Sequence, residues 1–149
     1  MAKVIVCCAD SSPQALGAAR FAGALAGGLG ARVVLLHVAA RTTAPGVSAA
    51  PLGQERLAES ERQAGAAILA GVCREAGLPQ DTELRVELGD VAGRARAVAE
   101  ETEAMLLVIG SHGRGAVKRA LLGSVSRNLA GDAPCPVVVV PPGTGLADA

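Results

Sequence analysis

The segment from Gly110 to Val125 contains the residues best suited to chemistry. It carries four glycines, at positions 110, 113, 115 and 123, and a serine, Ser124, follows the last of them. Bound phosphates need several backbone N–H groups that converge on them, and a Cβ atom obstructs that approach. A helix that begins within such a segment adds free N–H groups and the positive end of its dipole. The pattern favours a phosphate site over its alternative, a set of tight turns.

Two common phosphate motifs do not fit this chain. Gly110 and Gly115 have the spacing of a P-loop, but Ala116 and Val117 stand where that loop needs Lys and Ser/Thr. The first predicted strand is followed by a turn that starts at Asp10 and contains no glycine. The dinucleotide-binding fingerprint is therefore missing there. The sequence therefore excludes a Walker-type ATPase and a typical NAD enzyme.

The elements that position this segment alternate between strand and helix. Apolar runs predict strands over residues 4–9, 32–39, 82–88, 105–109 and 137–140. Caps and helical periodicity predict helices over residues 13–29, 54–76, 91–102 and 123–130, with a long surface loop over 40–53. The alternation predicts an α/β fold with a doubly wound, Rossmann-like parallel sheet, strand order 3-2-1-4-5, and helices on both faces.

Ligands of such sheets bind outside the carboxyl ends of the strands, near the point where the strand order reverses. Asp10, Val38 and Gly110 all lie at predicted carboxyl ends. The helix caps are expected at Ser12, before Pro13, and at Asp90. We expect Gly27, Gly28 and Gly30 to end the first helix. We expect the second helix to bury one stripe of apolar residues: Leu57, Ala64, Ile68 and Val72.

Composition restricts the partners. The 149 residues have no net charge and a single aromatic residue, Phe21, which argues against nucleic acid. No apolar run is long enough for a membrane span or a signal peptide. The four cysteines lack metal-binding spacing, and we expect reduced, mostly buried thiols in a cytoplasmic protein. One domain is expected over 1–149, with an ordered core at about 3–141.

The glycine segment resembles that of the universal stress proteins. Their nucleotide-binding members carry G-x2-G-x9-G-S/T, which is complete here as Gly110, Gly113, Gly123 and Ser124. The resemblance extends to the flanks "VIGSHGRG", "LLGSVS" and "APCPVVVV", and to "VIVCCADSSPQA" and "VVLLHV" nearer the amino end. The sequence departs from the pattern at Ser11, where the family usually has glycine, and at Met105, where an acidic residue is frequent.

The resemblance implies roles for individual residues. It implies backbone contacts to a triphosphate from Gly110, Gly113, Gly123, Ser124 and Val125. It further implies that Asp10 accepts hydrogen bonds from ribose hydroxyls and that the backbone of Val38 meets the adenine ring. The implied ligand is ATP, with ADP and AMP as alternatives and Mg²⁺ as a companion ion. A homodimer through the valine strand Val137–Val140 is implied as well, and it would cover a sheet edge that is otherwise open.

Several alternatives stay open from the sequence alone. Asp10 is either a ribose ligand or a plain turn residue before the helix cap. Arg114 is the best candidate among the surrounding basic residues for a phosphate contact, while surface charge is the default for Lys118 and Arg119. His37 and His112 lack recognisable catalytic partners, so a structural role is favoured for both.

Three functions compete. The favoured one is a nucleotide-binding regulatory module, not an efficient enzyme, because fast phosphoryl transfer needs positioned Mg²⁺ ligands and the glycine segment contains no carboxylate. The second is a dimeric interaction protein of the same fold without a nucleotide. The third is a slow ATP hydrolase. The complete glycine motif favours the first over the second.

Overall fold

The computed structural model describes residues 2–39, 51–111 and 123–142. Strands and helices alternate through these residues, as the sequence predicts. The strands are β1 (Lys3–Cys8), β2 (Ala31–Ala39), β3 (Glu83–Leu88), β4 (Leu106–Gly110) and β5 (Val137–Val140). The helices are α1 (Pro13–Leu29), α2 (Pro51–Glu75), α3 (Val91–Glu101) and α4 (Ser124–Gly131).

The five strands form one sheet in the order β3-β2-β1-β4-β5, and every neighbouring pair is parallel. This order confirms the predicted topology. The chain moves outward from β1 to β2 and β3, then crosses to β4 on the other side of β1. The carboxyl ends of β1 and β4 therefore flank the point where the winding reverses, which is where such sheets bind ligands.

Both faces of the sheet are covered, and alternate residues of each strand supply the two cores. Ile5 and Cys7 belong to the core under α1 and α2, whereas Val4 and Val6 belong to the core under α3 and α4. Alanines fill the helix side of both cores, and the helices add one leucine without exposed surface to each core, Leu69 from α2 and Leu129 from α4. A core with almost no aromatic residues lets the helices lie close to the sheet.

Helix α1 begins and ends with recognisable caps. Ser12 caps its first turn, since the Ser12 hydroxyl accepts a hydrogen bond from the Ala15 N–H at 3.2 Å. At the other end Gly30 has φ 65°, the left-handed conformation that glycine adopts most easily. The prediction that Gly27 and Gly28 help to end the helix is wrong. Both lie inside α1, and only Gly30 has the conformation that closes it.

Helix α2 differs from the prediction in its start and its inner face. It begins at Pro51 and not near residue 54, because proline fits the first helical turn, where its missing N–H costs nothing. The rest of the predicted loop, 40–50, lies outside the described residues. The fully buried residues are Gly65 and Leu69. Of the predicted residues, Val72 packs against the core, Leu57 and Ile68 are partly buried, and Ala64 is exposed.

Gly65 brings α2 close to the sheet. A Cβ atom at this position would lie 2.8 Å from Cγ1 of Val86 and 2.9 Å from Cδ2 of His37. Both distances are shorter than a carbon–carbon contact allows. The sequence pattern missed this residue because glycine carries no hydrophobic signal, although it marks the line of closest approach between α2 and the two strands beneath it.

Candidate ligand-binding site

A pocket of about 280 Å³ opens at the carboxyl ends of β1, β2 and β4. Its walls are mostly apolar, and among the described residues that line it Asp10 is the only acid. The lining residues are Cys8, Ala9, Asp10, Ser12, Ala15, Leu36, Val38, Val91, Ile109, Gly110 and Val125. An apolar cleft with a few polar groups, placed at the reversal of strand order, is the usual form of a small-molecule site in this architecture.

The turn between β1 and α1 presents Asp10 to this pocket. The Ser12 N–H donates to Oδ1 of Asp10 at 2.8 Å, which fixes the carboxylate against its own turn. The side chain that caps the helix is that of Ser12, so the Asp10 carboxylate is not the cap of α1. Asp10 is thus a turn residue and a wall of the pocket at once.

Strand β2 is tied to the same turn by two bonds to Ala9. The Ala9 N–H donates to the Leu36 carbonyl at 2.8 Å, and Nδ1–H of His37 donates to the Ala9 carbonyl at 2.9 Å. These bonds give His37 the structural role that the sequence favoured. They also hold Leu36 and Val38, which line the pocket, in register with Asp10.

The turn between β3 and α3 contributes Val91, which the sequence analysis did not assign to the site. Asp90 caps α3 by accepting a hydrogen bond from the Gly93 N–H at 2.8 Å, as predicted. The Gly89 N–H donates to the Ala39 carbonyl at 2.9 Å and so joins the turn to β2. Val91 follows the cap and faces the pocket. The sequence could have indicated Val91, because it follows the helix cap at Asp90, and the strand before that cap ends at the same sheet edge as the other site residues.

Strand β4 delivers Gly110 to the pocket, where the backbone passes close to α1. A Cβ atom on Gly110 would lie 3.2 Å from Cβ of Gln14 and 3.3 Å from the Gln14 carbonyl oxygen. The next residue, Ser111, is buried, and its N–H donates to the Val140 carbonyl at 3.0 Å. The end of β4 is therefore fixed between α1 and β5.

Helix α4 begins beside this strand end. The Gly123 N–H donates to the Ser111 carbonyl at 2.7 Å, so the two ends of the glycine segment lie together. Gly123 is the N-cap residue of α4, with φ −71° and ψ 165°, and no side chain caps the helix. The first N–H groups of a helix have no partner within the helix. The first turn of α4 therefore offers amide donors without a side-chain acceptor from its N-cap.

The structure brings four of the eight predicted site residues to one pocket: Asp10, Val38, Gly110 and Val125. Gly123 and Ser124 are not among its lining residues, but they begin the helix that carries Val125. Gly113 and Arg114 lie outside the described residues, as does His112. The sequence missed Leu36 and Ile109 because their apolar character makes them look like ordinary core.

All four cysteines are free thiols. Cys7 is fully buried and the other three are partly buried, so the expectation of mostly buried thiols holds fully for Cys7 and in part for Cys8, Cys73 and Cys135. Burial raises the pKa of Cys7 far above its ordinary value and raises the pKa of Cys8, in the pocket wall, to about 12. Cys8 is therefore a neutral, apolar part of the wall at physiological pH.

Within 2–39, 51–111 and 123–142, no three His, Cys, Asp or Glu side chains cluster closely enough to hold a metal ion. None of the helices in those ranges is both long and apolar enough to cross a membrane.

The sheet order defines a Rossmann-like α/β protein, and the pocket lies at the reversal of strand order, where sheets of this kind bind ligands. The model of the universal stress protein family matches residues 1–141. A universal stress protein of Thermus aquaticus is 34% identical over 150 residues, which covers 94% of this chain and 99% of that protein. The chain belongs to the universal stress protein family.

Solved structures agree on the fold. UspA from Lactobacillus plantarum has a TM-score of 0.77 at 21% identity, and the match covers 93% of this chain and 97% of that one. A universal stress protein solved in complex with cAMP has a TM-score of 0.66 at 23% identity, over 93% of this chain and 96% of that one. At these identities the likeness concerns the fold.

Proposed function

We propose that this protein is a single-domain regulatory module of the stress response that binds an adenine nucleotide, with ATP as the ligand. One observation carries the proposal. Asp10, Val38, Gly110 and Val125 come from four separate stretches of the chain, and they line one pocket. The resemblance to nucleotide-binding universal stress proteins had assigned each of them to the same ligand.

The nucleoside fits the described walls of the pocket. Leu36, Val38, Val91 and Ile109 present apolar surface, which suits a flat heteroaromatic base. Asp10 supplies the acceptor that two vicinal ribose hydroxyls need, and its bond to the Ser12 N–H holds the carboxylate in place before the ligand arrives. A fixed acceptor loses little conformational entropy when it binds.

The phosphates belong at the first turn of α4. Gly123 leaves that turn without a side-chain cap, and the amides of Ser124 and Val125 follow it. The helix dipole favours an anion at this end. Gly113 and Arg114, outside the described residues, remain predicted phosphate contacts. A bound Mg²⁺ would neutralise part of the polyphosphate charge, and it enters the proposal only as the companion of ATP.

The family supports an adenine nucleotide as the ligand. The neighbouring universal stress protein that was solved with cAMP has the same fold and binds an adenine nucleotide. A regulatory role is favoured over rapid turnover because residues 110–125 contain no Asp or Glu to hold a metal or to orient a water molecule. The bound state itself would then act as the signal.

Nucleotide retention tests the proposal directly. The purified protein is denatured, and the supernatant is chromatographed for adenine nucleotides. Nucleotide-free protein is then titrated by calorimetry with ATP, ADP and AMP. We expect ATP to bind most tightly, with hydrolysis far below one turnover per second. A protein that carries no nucleotide and gives no heat with any of the three is instead the dimeric interaction protein that the sequence left open.

A homodimer through β5 completes the proposal. β5 is an edge strand, paired with β4 on one side only, and consists of four valines, of which Val140 alone is buried. The other sheet edge, β3, carries Glu83, Arg85 and Glu87, and charges of this kind discourage edge pairing. A cytoplasmic location is part of the proposal, because free thiols persist in a reducing compartment.

Light scattering coupled to gel filtration measures the oligomer. We expect a dimer at micromolar concentration, and we expect Val139→Lys to shift it toward monomer by placing a charge on the paired edge. Leu84→Lys, on the half-exposed leucine of the opposite edge, is the matched control and should leave the dimer intact. A wild-type monomer would remove this part of the proposal without affecting the nucleotide site.

A further inference from the structure

The hydroxyl of Ser126 lies between the first turn of α4 and the end of β4. Ser126 is 2% exposed. Its Oγ is 2.9 Å from the Gly123 carbonyl oxygen and 3.3 Å from the Ser111 carbonyl oxygen. The single hydroxyl proton is therefore shared between two acceptors that stand at the two ends of the glycine segment.

The two acceptors have different consequences. The bond to Gly123 spans three residues within the first turn of α4, which is a common local arrangement for serine. The bond to Ser111 spans fifteen residues and joins the helix to the sheet. Ser111 is itself fixed to β5 through the bond from its N–H to the Val140 carbonyl. A chain of hydrogen bonds thus runs from β5 through Ser111 to the start of α4.

We infer that Ser126 is a positioning residue of the phosphate site. Its hydroxyl holds the first turn of α4 against the end of β4, and so fixes where the amides of Ser124 and Val125 converge. This inference rests on the proposed function, and it adds a residue that touches no ligand. Alanine would suit a buried helical position better by propensity, so the serine is explained by its two bonds.

The inference separates two parts of the ligand. Adenosine would use Asp10 and the apolar walls on β2, α3 and β4. Ile109 of β4 is held by its pairing with β5, and none of these wall residues bonds to Ser126. The phosphates of ATP would use the first turn of α4. Loss of the Ser126 hydroxyl should therefore weaken ATP binding and leave adenosine binding unchanged, whereas a general loss of stability would affect both ligands alike.

The test compares the dissociation constants of ATP and adenosine for Ser126→Ala by calorimetry. The variant leaves neither carbonyl without a donor, since Ser111 keeps the Gly123 N–H at 2.7 Å and Gly123 keeps the Arg127 N–H at 3.1 Å. We expect the ATP dissociation constant to rise about tenfold, the effect of one lost hydrogen bond. The adenosine constant should stay within about twofold. Ser126→Thr, which keeps the hydroxyl, should restore ATP binding.

Two further variants complete the design. Leu129→Val, on the same helix and without exposed surface, lowers stability without touching the bond chain and should leave the ratio of the two constants unchanged. Ser126→Cys fills the same space with a weak donor, so it replaces Ser126→Ala if that variant does not fold.

Equal losses for both ligands, or no loss for ATP, would overturn the inference while the wild-type ATP affinity upholds the proposed function. Wild-type protein that binds neither ligand would overturn both.

Discussion

Helices α1, α3 and α4 begin at the carboxyl edge of the sheet, and their first turns are built differently. A side chain caps α1 and α3: the Ser12 hydroxyl accepts from the Ala15 N–H, and the Asp90 carboxylate accepts from the Gly93 N–H. Helix α4 begins at Gly123, which has no side chain to do this. The side chains of Ser12 and Asp90 each satisfy one amide of the helix that follows them, whereas the N-cap residue of α4 supplies no such acceptor.

The difference costs little in stability. Glycine at an N-cap is only a few tenths of a kcal/mol worse than Ser or Asp, so the folded protein tolerates a start without a side-chain cap. The amides gain a partner when an anion is present. Under the proposed function, the same structural event, a helix that starts after a strand, serves folding at α3 and phosphate binding at α4.

The largest change in ATP affinity is expected for Gly123→Asp, which gives α4 the kind of cap that α3 has. The aspartate would cap α4 as Asp90 caps α3, and its charge would occupy the position proposed for the phosphates. We expect ATP affinity to fall by more than about 100-fold, because the amides are taken and like charges repel. Thermal stability should stay equal or rise slightly. Calorimetric titration and a melting curve measure the two quantities.

Gly123→Asn is the control for charge in this experiment. It offers a similar cap without the negative charge, and we expect a smaller loss of ATP affinity than for the aspartate. Both variants fit the backbone, because φ −71° at this position is open to any residue. An ATP affinity that is unchanged in Gly123→Asp would show that the first turn of α4 does not bind the phosphates.

Removing the charge from each of the two aspartates in the capped turns should distinguish a ligand-binding aspartate from one that only caps a helix. Asp10→Asn keeps an oxygen for the Ser12 N–H but loses a charged acceptor for ribose, so we expect about a tenfold loss of ATP affinity. Asp90→Asn keeps the cap of α3 and should bind ATP normally. Equal affinities for the two variants would leave Asp10 as a turn residue only.

The smallest effect is expected for the α3 cap alone. Asp90→Ala removes the acceptor for the Gly93 N–H and should cost about 1 kcal/mol of unfolding free energy. A chain of this length would then melt about 2–4 °C lower, with its ATP affinity unchanged. Asp81→Ala, in the exposed turn before β3, is the matched control and should melt like the wild type. A cap that also changed affinity would contradict the division between folding and recognition.

The sheet order and the helix caps were predictable because they depend on local signals. Apolar runs mark buried strands, and Ser12 and Asp90 stand directly before helical periodicity. The inner face of α2 was not predictable in the same way. Its buried line passes through Gly65, which is glycine because Val86 and His37 leave no room for a Cβ atom, and a close approach of this kind leaves no hydrophobic pattern.

The residues of the candidate site also fall into a group that the sequence identified and a group that it missed. Residues with a chemical signature, such as Asp10 and Gly110, were identified from the sequence, and both lie at the pocket. Leu36, Val91 and Ile109 were missed, because a leucine, valine or isoleucine at a strand end or a helix start looks the same whether it faces a core or a ligand. Only the packing of β2, α3 and β4 around one opening distinguishes the two.

The most direct test follows individual backbone amides by NMR while ATP is added to nucleotide-free protein. We expect large, saturating shifts for the amides of Ser124 and Val125 at the start of α4. We expect small shifts for Ala92 and Gly93 in the capped first turn of α3, and adenosine should shift the α4 amides much less than ATP does. Shifts of similar size in both helices, or α4 amides that do not respond to ATP, would contradict the proposed phosphate site.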